Sequence, residues 1–566
     1  MLNEELHRIW SDANPAATPL SEPDIKAACS TGTTFEGSLL RQRSSSIVPF
    51  AAILRSADSE KNLEPTVKCD LGSEIGVHSA EVSSPIQSDA GLVEWDGKHD
   101  PQNPKNFSTR IKVAIGLVIG LMNFVVSFAI SVFSGATGPL GHDDDPLSGN
   151  AADLGVSLFI LGLAFGPALF GPASEFYGRK TPLVFGMIGF MGATISVTTS
   201  KYFEAVLICR FLSGFCGSAA YVIPPGMFVD LFGPVGRAMG YSMFATGAFI
   251  GGSLGPAIGV TLVSEYNLTW RWSMWLCVLI ALPLTVTMLV LPETLEKFIL
   301  QEKCRRLRNA TGDWSLHCFR DETPAGLQKY LMKPWQMLIR EPVLIVVTLA
   351  FTLDYGIQSL TYSAVPKAYE FPRHWGRGHS AWMLVVTIPG FVVGCIVVLV
   401  DTKIRFQKRL VAGKAIEPES RLPAMIAGMI ILSLGLLYFA WKTSSSTHWS
   451  DPATAEVLIG TGMYLVWVTA TVYIQDLYVE HANSALAACA FVRYAAGAAL
   501  STFSAPMYEK LGVHWMIGSL GVLCAVLVPL HILFYFCGKR VRGWSKFALQ
   551  SRVHLEVESH VQLEDE

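Results

Sequence analysis

The stretch "GPASEFYGRKTPL", residues 171–183, lies between two long apolar runs. It places one acid (Glu175), two bases (Arg179 and Lys180) and two glycines (Gly171 and Gly178) within ten residues. Charges so closely set in an oily chain belong where the chain leaves hydrocarbon and returns to it. Gly171 and Gly178 allow close helix approach and a tight turn. Arg179 and Lys180 can hold the neighbouring helix ends at the polar surface, and Glu175 can pair with a base there.

The composition agrees with a membrane setting. The chain has 566 residues, 51% hydrophobic and only 16% charged, where soluble domains carry about a quarter charged residues. A formal net charge of -3 gives no reason to expect a nucleic-acid partner. The 11 cysteines are scattered, form no CxxC pairs and read as small packing residues, so no metal site is expected. The first residues, "MLNEELHRIW", lack the basic and apolar regions of a cleaved signal peptide.

Apolar runs of about 20 residues can each cross ~30 Å of hydrocarbon as a helix. Twelve are present, at approximately 111–133, 151–172, 182–199, 202–225, 238–263, 272–291, 341–363, 379–400, 421–441, 453–474, 485–506 and 514–537. The chain is therefore expected to divide into a disordered N-terminal tail (1–107), a six-helix bundle (108–291), a middle loop (292–340), a second six-helix bundle (341–537) and a C-terminal tail (538–566). Basic residues set the orientation. With both termini cytoplasmic, the inner side holds Arg179, Lys180, Arg305, Arg306, Arg308, Lys403, Arg405, Lys408 and Arg409, whereas the first outer loop, "GHDDDPLSGN", has no Lys or Arg. Lys367, Arg373 and Arg377 run against this pattern, but the reverse orientation would expose more bases.

The halves echo each other. "GPAIG" followed by Trp272 and Pro283 parallels "APMYEKLG" followed by Trp515 and Pro529, and "DTKIRFQKR" is a degenerate counterpart of the charged turn. Such repeats suggest a transporter whose substrate path runs between two related bundles.

The charged turn resembles the signature loop of the major facilitator superfamily, with Gly171, Glu175, Gly178, Arg179, Lys180 and Leu183 in register; Glu175 stands where Asp is usual. The "GPxSExYGR" form is similar to that of the twelve-span fungal drug:proton antiporters. The resemblance implies that this loop is a conformational latch acting through contacts between bundles. Asp230 and Arg237, which flank "LFGPVG", are expected to pair with its charges. "VEWDGKHDPQNPKNFS", "WRWSMW", "LPETLEKFI", "ESRLPAMI" and "SALAACAFVR" also resemble habitual segments of that branch. In "GAFIGGSLGPAIG", Gly247, Gly251, Gly255 and Gly259 recur every fourth residue and line one helix face, while Pro256 weakens the local hydrogen-bond ladder. The stretch resembles the antiporter motif of drug-exporting branches, with Ser242 at its first glycine position and Val260 at its last.

Polar groups inside spans are costly and point to function. Arg210 lies about 12 Å into the bilayer and Asp354 about 20 Å from the inner surface by helical rise. Arg210, through the resemblance, and Asp354, as a buried carboxylate, are the candidates for proton coupling. Asn123, Tyr221, Gln358, Tyr362, Trp467, Tyr473 and Arg493 are candidate cavity residues, the last matching an arginine of the family. Asn267 begins a glycosylation sequon close to two spans. "RQRSSS" at 41–46 resembles a kinase target, and "HDDD" at 142–145 reads as a solvated loop.

The expectation is an all-α membrane protein of the major facilitator fold. It is expected to act as a monomeric, proton-coupled exporter of small organic compounds, needing no cofactor beyond the proton gradient. A plasma-membrane location is expected, with the vacuolar membrane as the alternative. Uptake symport, polyamine transport and a transporter-like receptor are the rival functions. No GxSxG, HExxH or Gly-rich phosphate loop suggests an enzyme.

Overall fold

A computed structural model describes residues 92–97, 99–136, 150–318, 327–408, 418–444, 447–478 and 482–543. "RQRSSS" and "HDDD" lie outside them. Twelve helices among the described residues are long and apolar enough to cross a membrane: Thr109–Gly135, Asp153–Phe176, Lys180–Thr199, Phe203–Leu231, Val235–Ser264, Arg271–Val290, Pro342–Glu370, Arg377–Gln407, Pro418–Lys442, Ser450–Leu477, Ala482–Ser504 and Pro506–Gly538. They are the first to twelfth spans below.

Helix pairing shows the two-fold design. In the first half, span one packs on five, two on four, and three on four and six. In the second half, span seven packs on eleven, eight on ten, and nine on ten and twelve. The halves meet where span two faces eleven and span five faces eight. Thr502 donates to the Ser157 hydroxyl at 2.8 Å across the first seam, and the Ser253 and Thr387 hydroxyls lie 2.8 Å apart across the second. In hydrocarbon there is little hydrophobic gain from pressing helices together, so close packing must hold them. Small residues supply it at the crossing of spans one and five. A Cβ at Gly247 would lie 2.5 Å from the carbonyl oxygen of Gly120, and one at Gly255 would lie 2.6 Å from the Val132 nitrogen. The glycine face read from the sequence therefore seats span five on its own half rather than on the opposite one.

Two expectations are corrected. The disorder expected over 1–107 does not hold for the described residues 92–97 and 99–107. There Val93 N–H donates to the His317 carbonyl at 2.8 Å, and Pro104–Asn106 forms a 3-10 turn capped by the Asn103 side chain. The segment expected as a loop over 292–340 contains two helices, Glu296–Thr311 and Leu327–Arg340. The order of the lead-in segment and of the first of these helices has one cause. The lead-in segment and the first linking helix stabilise each other through polar contacts distant in sequence. Trp95 Nε1 donates to Glu296 Oε1 at 2.8 Å, and Lys303 Nζ lies 2.8 Å from Asp96 and 3.4 Å from Asp100. The backbone N–H groups of Gln102 and Asp96, joined by Lys303, outweigh burial and hold the Asp100 carboxyl below its ordinary range.

Asp100→Ala should free this segment. We expect faster protease cleavage within 92–107 with the spans intact, read by limited proteolysis in detergent. A depressed carboxylate contributes stability above its unfolded pKa and loses it as pH falls through the folded value. Protection in the unsubstituted protein should therefore hold at neutral pH and fade only in acid. Unchanged cleavage of the variant would exclude the clasp.

Candidate functional site: a central cavity and two buried ion pairs

The turn between spans two and three is built as its residues suggest. Span two ends at Phe176, Gly178 adopts φ +82, and Arg179 caps the helix that starts at Lys180. The left-handed φ suits glycine, and space is short as well: a Cβ at Gly178 would sit 2.5 Å from Glu293 Oε2. The Glu293 carboxylate receives the N–H groups of Arg179 at 2.8 Å and Lys180 at 3.0 Å. It also receives those of Thr294 at 2.8 Å and Leu295 at 3.0 Å. It thus satisfies N–H groups that begin two helices, where a negative charge is favoured.

Arg179 turns inward. Its Nε lies 3.0 Å from Asp230 Oδ2, and its Nη1 donates to the Ser174 hydroxyl at 3.0 Å. Burial opposes the guanidinium's charge, but Asp230, then Glu175 and Glu293, outweigh it and push its pKa above the usual value. Glu175 is half-buried and acts on Arg179 through space. Lys180 Nζ donates to the Leu289 carbonyl at 2.6 Å. The contact with the second half passes through Gly226. A Cβ there would lie 2.7 Å from Asn483 Nδ2 of span eleven and 2.8 Å from the Arg179 guanidinium carbon.

The second half repeats this arrangement at a place the sequence reading missed. Arg421, the residue capping the helix of span nine, lies 3.1 Å from Asp476 near the end of span ten, and donates to the Thr402 hydroxyl at 3.1 Å. "DTKIRFQKR" instead includes a π-helical turn, Thr402–Gln407, where Arg405 pairs locally with Asp401 at 2.9 Å. The signal was positional: each arginine precedes the odd-numbered helix, and each aspartate ends the helix after it. Arg237 corrects another expectation. It is buried, its Nε and Nη1 lack hydrogen-bond partners, and its charge acts on Arg421 rather than joining the Arg179 cluster. The chain breaks at Gly233 and restarts as a helix at Pro234, three residues before Arg237.

Between the halves lies a cavity of about 520 Å³, reaching the end opposite the latch. Its size suits a drug-sized molecule. Tyr221 and Trp467 border it, and Gln358 donates to the Tyr362 hydroxyl at 3.1 Å in its wall. Tyr355 and Tyr494, missed from the sequence, complete an aromatic floor: Tyr494 stands 5.1 Å from Tyr355 and 6.2 Å from Tyr221 between ring centres. Below it is a void of about 40 Å³ bordered by Asn123, Arg493, Trp467 and Tyr494. The mouth carries Asp153, Lys367, Glu370, Arg377 and Glu509.

Three candidates lie elsewhere. Tyr473 packs edge-on to Phe534, within the second half and away from both spaces. It follows Trp467 by six residues, which at about 100° per residue puts it on another helix face. Arg210 is enclosed in the first half, over the rings of Phe133 at 4.2 Å and Phe159 at 4.6 Å, with Nη1 donating to the Ala129 carbonyl at 3.1 Å. Asp354 is buried with Oδ1 unpartnered, close enough to Arg493 for their charges to interact, but borders neither space. Asn267 is exposed, with φ 50, in the turn between spans five and six.

Twelve spans in two matched halves around a central cavity define a membrane transporter. A family model of the Major Facilitator Superfamily matches residues 113–502, and the chain belongs to that family. It is 38% identical over 470 residues to the citrinin biosynthesis cluster MFS transporter mrr1 of Monascus ruber, covering 82% of this chain and 94% of that one. It is 30% identical over 472 residues to the major facilitator superfamily multidrug transporter FLU1 of Candida albicans, covering 81% and 76%. The proton:xylose symporter XylE bound to 6-bromo-6-deoxy-D-glucose shares the fold at a TM-score of 0.55 and 15% identity, covering 74% of this chain and 96% of that one.

Gly178→Ala should reduce transport several-fold at equal surface level, because strain at such a backbone costs about 1–3 kcal/mol and the new methyl meets Glu293. Glu293→Ala should act in the same direction. Wild-type uptake and efflux rates in both variants would remove the latch role of this turn. Gly255→Leu should abolish transport while the protein still inserts, since overpacking a close helix contact costs about 1–3 kcal/mol; transport assays paired with surface labelling read both.

Proposed function

We propose that this transporter exports small organic compounds and is driven by the proton gradient. The observation that carries the reading is the cavity. It lies away from the paired arginines and aspartates and reaches the opposite end, the side expected to be outside from the basic-residue pattern. A cavity open on that side is one end state of alternating access and can release substrate outward. The kinship with a metabolite-cluster transporter and a multidrug transporter supports organic substrates and export. The aromatic floor and hydroxyl-bearing walls suit amphipathic ring systems. Movement would follow rocking of the halves about the cavity, with both termini cytoplasmic and the plasma membrane as location. The latch would open as the mouth closes.

Asp354 is the proposed proton carrier, being a deep carboxylate that has no ion pair among the described residues and senses the charge of Arg493 beside the cavity. Arg210, enclosed by rings away from the cavity, is assigned to holding the first half together.

Inside-out vesicles should accumulate members of an organic-compound panel only when an inwardly acid pH gradient is imposed. Asp354→Asn should abolish that accumulation while exchange of labelled for unlabelled substrate continues. Gradient-driven accumulation by Asp354→Asn at the wild-type rate would exclude Asp354, and accumulation indifferent to the gradient would exclude proton coupling.

A further inference from the structure

Arg493 stands in span eleven, 7% exposed, directly beneath the cavity floor. Its guanidinium carbon is 3.9 Å from the ring centre of Trp467, 4.4 Å from Tyr494, 5.5 Å from Phe351 and 5.8 Å from Tyr355. The rings attract the cation through their faces but offer no negative charge. Among the described residues no carboxylate comes within ion-pair distance of it, unlike Arg179 and Arg421, which each have an aspartate. Its Nε is buried without a hydrogen-bond partner. Across the same small void, the Asn123 side chain is 1% exposed and its Oδ1 also lacks a partner. Buried polar atoms left unsatisfied are uncommon in folded proteins and call for an occupant.

We propose that this void receives the anionic head group of a planar aromatic substrate, with Arg493 as its charged partner and Asn123 as a second hydrogen-bonding partner. About 40 Å³ suits a carboxylate or one water, whose share of the liquid is about 30 Å³. A guanidinium presents donors in a planar fork that matches a carboxylate, and charge-assisted bonds of that kind are roughly twice as strong as neutral ones. The ring system stays in the larger space, against Tyr221, Tyr355 and Tyr494. The two spaces share Tyr221, Ala248, Trp467 and Tyr494, so head group and rings can belong to one molecule. A polycation would meet the Arg493 charge at the same place, which disfavours polyamines. The proposal rests on the cavity being the transport site, as proposed above.

The test compares 2-naphthoate, 2-naphthamide and 2-naphthylmethylammonium, matched in ring and differing in charge. Equilibrium dialysis against the full chain in detergent at neutral pH gives each affinity. We expect the acid to bind at least about tenfold more tightly than the amide, with the ammonium weakest. Arg493→Gln should lower the acid's affinity at least about tenfold, to that of the amide, and so erase the preference, whereas loss of a merely structural arginine would weaken all three compounds alike. Arg493→Lys should keep the order of the three. The preference of the unsubstituted protein needs no variant to fold. Equal binding of acid and amide, or no binding of the acid, overturns the proposal, as does a preference that survives Arg493→Gln. If vesicles export neutral compounds while no acid preference exists, the transport reading stands and this one falls. If the acid binds through Arg493 but no compound moves under a pH gradient, the reverse holds.

Discussion

Two buried ion pairs, Arg179 with Asp230 and Arg421 with Asp476, fix the helix ends on the side away from the cavity mouth. Each joins the start of an odd-numbered span to the end of the following one within its own half. Removing charges from water is expensive, and a buried pair that loses one partner costs about 3–5 kcal/mol. The pairs are therefore rigid within each half, and they present a fixed surface at the seam. The halves touch there through smaller contacts, Asn483 and Arg179 both crowding Gly226. Strong bonds inside the halves and weak ones between them are what a rocking mechanism requires.

The cavity follows from that arrangement. Spans one and five pack tightly because small residues let backbones approach, as Gly251 does against the Phe124 carbonyl. In the second half Gly497 makes room for the Tyr355 ring instead. With the latch end held, space is left toward the other end. Its floor is aromatic and its mouth is charged. The closed floor also explains why Arg493 can remain without an ion pair: rings on several sides shield it from lipid and attract its charge.

The linking segment changes how the latch is understood. Glu293 reaches the turn after span two, Glu296 holds Trp95, and Lys303 holds Asp96 and Asp100. One short run of chain thus ties the latch of the first half to the segment preceding span one. Further along, Trp335 packs on Phe491 at 4.7 Å, and Phe491 on Phe165 at 5.4 Å, so the second linking helix touches the seam between spans two and eleven.

The twelve spans, the charged turn and the glycine face of span five were legible in the sequence, because each is a local property. A span is a run of apolar residues, a turn needs glycine, and a helix face repeats at a fixed spacing. Tyr221, Trp467, Gln358 and Tyr362 were found because polar and aromatic groups within spans tend to face a path. Tyr473, Arg210 and Arg237 went elsewhere. Hydropathy marks which residues lie in a span but not which way each helix is turned, and that rotation is set by packing against neighbours. Arg179 and Asp230, Arg421 and Asp476, and Glu293 and Arg179 lie from 51 to 114 residues apart along the chain. Only tertiary structure could bring them together, because charges buried far from water are tolerated only where the fold supplies a partner within a few ångströms.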